Sequence, residues 1–226
     1  MTTETRRVVF GGLTIDHDET VLEPRSWTLL QSDWAVELTG LVPHGRVLEL
    51  CSGAGHIGLE VVRRSDRDLV QVDISEHACG FARSNAEAAG LGDRVEIRHT
   101  GLLSLCDGND RFPLVLADPP YLQTHHVDRY PSDPVSAIDG GPDGLSLLMD
   151  CVTVIDAVLD DEGVALVQVA GLAQAMDVVE RLPSTLCAAG VREHDAERAV
   201  IALSRPAADP TVGGASAERA TGGDRS

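Results

Sequence analysis

The sequence predicts a doubly wound α/β domain: one mostly parallel sheet with helices packed on both faces. Three observations carry this. Val47-Leu48-Glu49-Leu50 reads as a short buried strand, followed by the small-residue turn Cys51-Ser52-Gly53-Ala54-Gly55 and at once by helical spacing through His56, Ile57, Leu59, Val61 and Val62. Leu69-Val70-Gln71-Val72 is a second apolar strand that ends on an acid, Asp73, and a third run, Phe112 to Ala117, ends in Asp118-Pro119-Pro120-Tyr121. From Arg46 onward such runs alternate with helix-length segments, and βαβ alternation implies a parallel sheet covered on both faces.

Taken in order, Val8-Val9-Phe10 and Leu13-Thr14-Ile15 around Gly11-Gly12 predict a small hairpin. Ser26 is placed to N-cap a helix whose apolar residues Leu29, Leu30, Trp34, Leu38 and Leu41 recur at helical spacing, where a lid over a ligand would lie. Trp34 belongs to that stripe and reads as core; Trp27 falls outside it and is free to line a pocket. Strands are predicted near 46–50, 69–73, 94–98, 113–117 and 163–170, and helices near 56–65, 76–90, 143–160 and 173–189. Val191 to His194 and Ala199 to Ser204 flank a short turn and predict a closing antiparallel hairpin. From about Pro206 the chain turns to Ala, Gly, Pro, Thr and Ser with scattered charges, the composition of a disordered tail. The expected organisation is a hairpin and lid helix over 1–45, the main domain over 46–205 and a tail over 206–226.

Composition narrows the chemistry. The 226 residues suit one domain with a self-sufficient core. No apolar run approaches the roughly 20 residues of a membrane span, and no signal-peptide pattern opens the chain, so a cytoplasmic location is expected. The five cysteines are scattered and form neither C-x-x-C pairs nor a disulfide framework. The net charge is −18 and every basic residue is arginine, which removes Schiff-base chemistry and the P-loop lysine. The acidic balance and the lack of a visible basic patch weigh against nucleic acid as a partner. His125-His126 with Asp128 reads as a solvated loop, and no metal site is expected.

A strand, a glycine turn and a helix N-terminus describe a nucleotide-type crevice at the carboxyl end of a strand, and an acid about twenty residues on suits ribose hydroxyls. The D-P-P-Y turn suits a nitrogen: proline donates nothing, its carbonyl is free, and the first side chain adds an acceptor. These signatures, in this order, resemble class I S-adenosylmethionine (SAM) methyltransferases of the Rossmann-like fold, and most closely the HemK type that methylates release-factor glutamine. The counterparts of that family's NPPY and LDGGxDGL segments are Asp118-Pro119-Pro120-Tyr121 and Ile138 to Leu145, and Val21-Leu22-Glu23-Pro24-Arg25 resembles its VLIPR segment. The resemblance implies a seven-stranded sheet of order 3-2-1-4-5-7-6, with strand 7 antiparallel, and SAM as the cofactor. It places Glu49, Gly53 and Gly55 around the methionine moiety, Asp73 on the ribose, Cys51 as a small pocket-lining residue and not a nucleophile, Ile74 and Leu102 along the cofactor, and Asp118 beside both ligands. Asp118 and the Pro119 carbonyl would grip the nitrogen with Tyr121 stacking, and Arg25 and Trp27 are candidates for the acceptor side.

Three departures bear on the acceptor. Gly101 stands where many relatives carry an acid for the adenine amino group, which leaves adenine to backbone groups. Bacterial release-factor enzymes carry a helical domain ahead of the catalytic one, and that recruiting domain is expected to be missing here. Asp118 replaces Asn, and an ionised carboxylate offers only acceptors, which suits an amine or guanidinium better than an amide. The expectation is therefore an N-methyltransferase acting on a guanidino or amino nitrogen of a small metabolite or amino acid. The alternatives are a protein glutamine, a nucleobase amino group and, from another class, a SAM-binding partner subunit without activity.

Overall fold

The computed structural model describes residues 4–207. Two antiparallel strands, β1 (Arg6–Phe10) and β2 (Leu13–His17), form the expected hairpin. The chain then makes a 3-10 turn over Ser26–Thr28 and helix α1 (Leu29–Leu38). Seven strands follow: β3 (Val47–Leu50), β4 (Leu69–Asp73), β5 (Val95–His99), β6 (Phe112–Ala117), β7 (Leu159–Val169), β8 (Cys187–Asp195) and β9 (Arg198–Ser204). They form one sheet in the order β5-β4-β3-β6-β7-β9-β8. Counting strands within this sheet alone, that is 3-2-1-4-5-7-6; β9 runs antiparallel to both neighbours and the other pairings are parallel.

Helices α2 (His56–Arg63), α3 (Glu76–Ala88), α4 (Val135–Ile138), α5 (Ser146–Val158) and α6 (Gly171–Glu180) connect them. Two apolar layers result. Leu48, Leu50, Val70, Val72, Val115 and Ala117 point to α5 and α6, whereas Val47, Leu114, Leu116 and Leu166 face α1, α2 and the hairpin. Both faces being covered is why these strands read as continuous apolar runs. None of the helices among the described residues is long and apolar enough to cross a membrane.

Four local expectations need correction. Ser26 does not cap α1: the helix starts at Leu29, and the Thr28 hydroxyl donates to the Arg25 carbonyl (2.8 Å) instead of capping. Of the predicted stripe, Trp34 joins the core and Leu29, Leu30 and Leu38 pack against it, but Leu41 lies beyond the helix and is 79% exposed, and the buried face also takes in Gln31, Ser32 and Ala35. Gln31 reaches the sheet, where its amide donates to the Ala117 (3.1 Å) and Leu166 (2.8 Å) carbonyls, so α1 is clamped to strand backbone and is no free lid. The helix drawn to 189 ends at Glu180, because Pro183 cannot continue it, and β8 starts at Cys187. The hairpin shares the core through Phe10, Leu13 and Ile15, and the Asn85 side chain bonds both the N–H and the C=O of Asp16 (2.9 Å each). The tail expected over 206–226 lies outside the described residues from 208 onward.

Candidate active site

Two cavities open at the carboxyl ends of β3, β4 and β6 and meet at Asp118. The larger, about 470 Å³, runs along the turn after β3, past Asp73 and Ile74, to Gly101 and Leu102. The smaller, about 300 Å³, is walled by Trp27, Pro119, Tyr121, Tyr130 and the tip of the β8–β9 hairpin. Leu22, Asp118, Pro120 and Ala137 line both.

The glycine turn is shaped from below. Gly55, with φ 84°, starts α2, and a Cβ there would lie 2.7 Å from the Gln71 amide. Gln71 donates to the Gly55 carbonyl (2.8 Å) and to Glu49 (2.6 Å). Cys51 also holds a positive φ of 55°, and its sulfur lies 4.0 Å from that of Cys151. The Cys151 thiol and burial push the Cys51 thiol well up, so it stays protonated. Asp73 binds the turn to its own strand end: one carboxylate oxygen accepts from the Gly53 N–H and the other from the Ser75 N–H, both at 2.8 Å.

Of the residues expected at the cofactor, Cys51, Gly53, Asp73, Ile74, Leu102 and Asp118 line the larger cavity. Glu49 and Gly55 do not. Glu49 is 2% exposed beneath the turn, because its place in β3 points it into the α2 layer, where it buttresses Gly55 through Gln71. Burial pushes its carboxyl up to about 8, against the opposing bonds from Gln71 and the Gly58 N–H. The folded protein thus holds a proton that the unfolded chain releases near the ordinary value of 4.5. Stability from this group is fully present below that value and is lost as pH rises through about 8. Glu49→Gln, which cannot titrate, is expected to flatten the fall in melting temperature between pH 5 and pH 9. Equal slopes for the two proteins in calorimetry would contradict a neutral Glu49.

Arg25, Trp27, Asp118, Pro119 and Tyr121 all line the smaller cavity. Arg25 is ion-paired with Asp133 at its wall. Asp118 is half-buried, and what exposure it has faces the two cavities, not bulk water. Among the described residues no donor or cation bonds its carboxylate, and burial pushes it up to about 7. Tyr121 is held firmly neutral by burial and by Asp118. The segment Ile138 to Leu145 carries no ligand-facing acid; it is the backbone cradle of the D-P-P-Y turn. Gly140 N–H donates to the Leu122 carbonyl (2.8 Å), and a Cβ at Gly140 would meet the Pro120 carbonyl at 2.7 Å. His125 and His126 sit in a 3-10 turn, with His126 at the cavity wall.

Sequence reasoning missed three contributors. Gln31 ties α1 to the strand end just before Asp118. Thr20, Val21 and Leu22 border the larger cavity, a role hinted at only for Val21 and Leu22, by their place in the segment resembling VLIPR. Ala196, Glu197 and Arg198 reach the smaller cavity from the far edge of the sheet, and no local signal marks them.

The larger cavity fits SAM: an open position at Gly53, a carboxylate at the end of β4, and apolar Ile74, Leu102 and Leu103 on one side. The fold is the Rossmann-like one of class I SAM-dependent methyltransferases, and the two joined cavities lie where such a domain would hold a cofactor and an acceptor. The sequence is similar to HemK-type glutamine methyltransferases, as the D-P-P-Y resemblance implied. It is 29% identical over 188 residues to the ribosomal protein uL3 glutamine methyltransferase of Francisella tularensis subsp. tularensis, covering 80% of this chain and 60% of that one. It is 28% identical over 166 residues to the release factor glutamine methyltransferase of Clostridium acetobutylicum, covering 70% and 58%. The chain thus spans somewhat under two thirds of the length of these relatives. A family model described as "Conserved hypothetical protein 95" matches residues 29–130. A ribosomal protein L11 methylase from Lactobacillus delbrueckii subsp. bulgaricus shares the fold, with a TM-score of 0.61 at 16% identity and 83% of each chain covered.

Proposed function

We propose that this chain transfers the methyl group of SAM to the side-chain amide nitrogen of a protein glutamine. The observation that carries the reading is Asp118: half-buried at the meeting point of the two cavities, with no hydrogen-bond or ion-pair partner among the described residues and a carboxyl pushed up to about 7. A neutral carboxylic acid has one donor and one acceptor, as the Asn amide has, and so can face both the C=O and the N–H of a glutamine amide. The objection that Asp118 would repel an amide carbonyl holds only for its ionised form. The relatives named above act on glutamine in ribosomal protein uL3 and in release factor. A guanidino or amino acceptor of a small metabolite, which needs the ionised form, finds no support among them, and neither does a nucleobase. Such protein acceptors also suit a cytoplasmic location.

When bound, SAM supplies an electrophilic methyl carbon, and the chain supplies position and electrostatics. Asp73 and the glycine turn hold the ribose and methionine portions. Asp118 fixes the rotation of the amide, and Tyr121 confines its plane. The test is incubation of the purified chain with isotopically labelled SAM and, separately, a uL3 protein, a release factor and a panel of amines and guanidines. Label on a glutamine after proteolysis and mass spectrometry is expected; label on the amines or guanidines alone would overturn the reading.

A further inference from the structure

Arg198 opens β9 and enters the smaller cavity, although its strand lies two places from β6 in the sheet. Its position is built. Asp195 accepts from Arg198 Nη1 at 2.7 Å and from the Glu197 N–H at 2.9 Å, which closes the hairpin tip. The tip rests on the start of α6, where Gly171 (φ 74°) leaves room for the Ala196 carbonyl; a Cβ there would lie 2.5 Å from that oxygen. From this support the Arg198 guanidinium lies over the Trp27 indole, 3.9 Å from the ring centroid. Arg25 approaches the same ring at 5.7 Å. Arg198 is also within electrostatic reach of the Tyr121 phenol.

An aromatic face in a cavity beside a carboxyl group is the usual receptor for a cationic nitrogen. Here the protein's own guanidinium already occupies it. We propose that Arg198 is a specificity-determining residue: it fills the aromatic surface that a cationic acceptor would need and confines the cavity to an uncharged nitrogen. The inference rests on the amide reading and names the device that enforces it. Asp195, which pairs with Arg198 through Nη1, does not line the cavity, whereas Arg198 itself does, with Glu197 beside it on the hairpin tip. A second guanidinium or an ammonium entering beside it meets like-charge repulsion from Arg198 and finds the indole face that Arg198 covers already taken.

The test compares the full chain with Arg198→Ala, with Arg198→Gln as the shape-retaining substitute should the alanine protein fold poorly. Methylguanidinium is titrated into each in a calorimeter. Arg198→Ala is expected to bind it about tenfold tighter than the wild type, the scale of a cation on a partly desolvated aromatic ring. The double change Arg198→Ala with Trp27→Leu should lose that gain. The ratio of kcat/KM for a glutamine peptide to that for an alkylguanidine should fall at least tenfold in Arg198→Ala and be kept largely by Arg198→Lys. No gain in cation binding in either neutral variant would overturn the proposal. That readout needs no turnover, so an absence of glutamine methylation by the wild type would sink the amide reading while leaving the role of Arg198 separately decided.

Discussion

Replacing Asp118 with alanine is expected to lower kcat/KM for a glutamine peptide by about 10²–10³-fold, the effect of removing one preorganised polar group from the reacting centre. SAM affinity should change far less, since the larger cavity keeps Asp73 and the glycine turn. The pH profile is the sharper readout. With its carboxyl pushed up to about 7 by burial, Asp118 is neutral below that value and ionised above it. An amide acceptor needs the neutral form, so wild-type activity should be high on the acid side and fall as pH rises through about 7. Asp118→Asn keeps a donor and an acceptor but cannot ionise; it should match the wild type at pH 6 and exceed it at pH 8.5. An amine or guanidine acceptor predicts the reverse, with activity rising through pH 7 and an Asn variant impaired at every pH. Steady-state kinetics of the three proteins from pH 5.5 to 9 decides between them.

Loss of SAM binding is the expected result for Asp73→Ala. The carboxylate accepts the Gly53 and Ser75 N–H groups, and in the proposed reading it also holds the ribose. Charge-assisted hydrogen bonds are worth roughly 1.5–3 kcal/mol each, so one lost bond to the ribose alone raises the dissociation constant on the order of 10–150-fold. Slackening of the glycine turn adds to this. Asp73→Asn separates the tasks, because one amide oxygen can still accept a turn N–H while the charge is gone. Its affinity should fall between the two. Calorimetry with SAM, alongside circular dichroism to confirm folding, provides the measurement; an unchanged dissociation constant in a folded Asp73→Ala protein would remove the residue from the cofactor site.

Much of this architecture was legible along the chain. The buried runs at Val47, Leu69 and Phe112 state their strands because both sheet faces are covered and no polar alternation is needed. The turn from Cys51 to Gly55 and the D-P-P-Y turn are contiguous, so short-range residue chemistry declares them. The resemblance to the HemK type came from those same local signatures. Errors arose where a local pattern competed with a distant partner. The apolar stripe of α1 packs on the core as its spacing suggested, but it gave no sign of Gln31, which turns inward to the carbonyls of β6 and β7 that only the folded sheet presents. Glu49 looked like a ligand of the cofactor because it neighbours the turn; strand alternation and Gln71 place it underneath.

The sequence by itself determined the class of fold and the two turns that border the cavities, because each is encoded in contiguous runs of side chains, while the order of the strands came from the resemblance those runs carry. Tertiary structure alone decided the upward push on the Asp118 carboxyl and the outer wall of the smaller cavity. The first depends on burial without a compensating partner, a property of everything packed around residue 118. The second depends on Arg198 meeting Trp27, residues brought to 3.9 Å by the antiparallel return of β9 and by nothing near either of them in the chain.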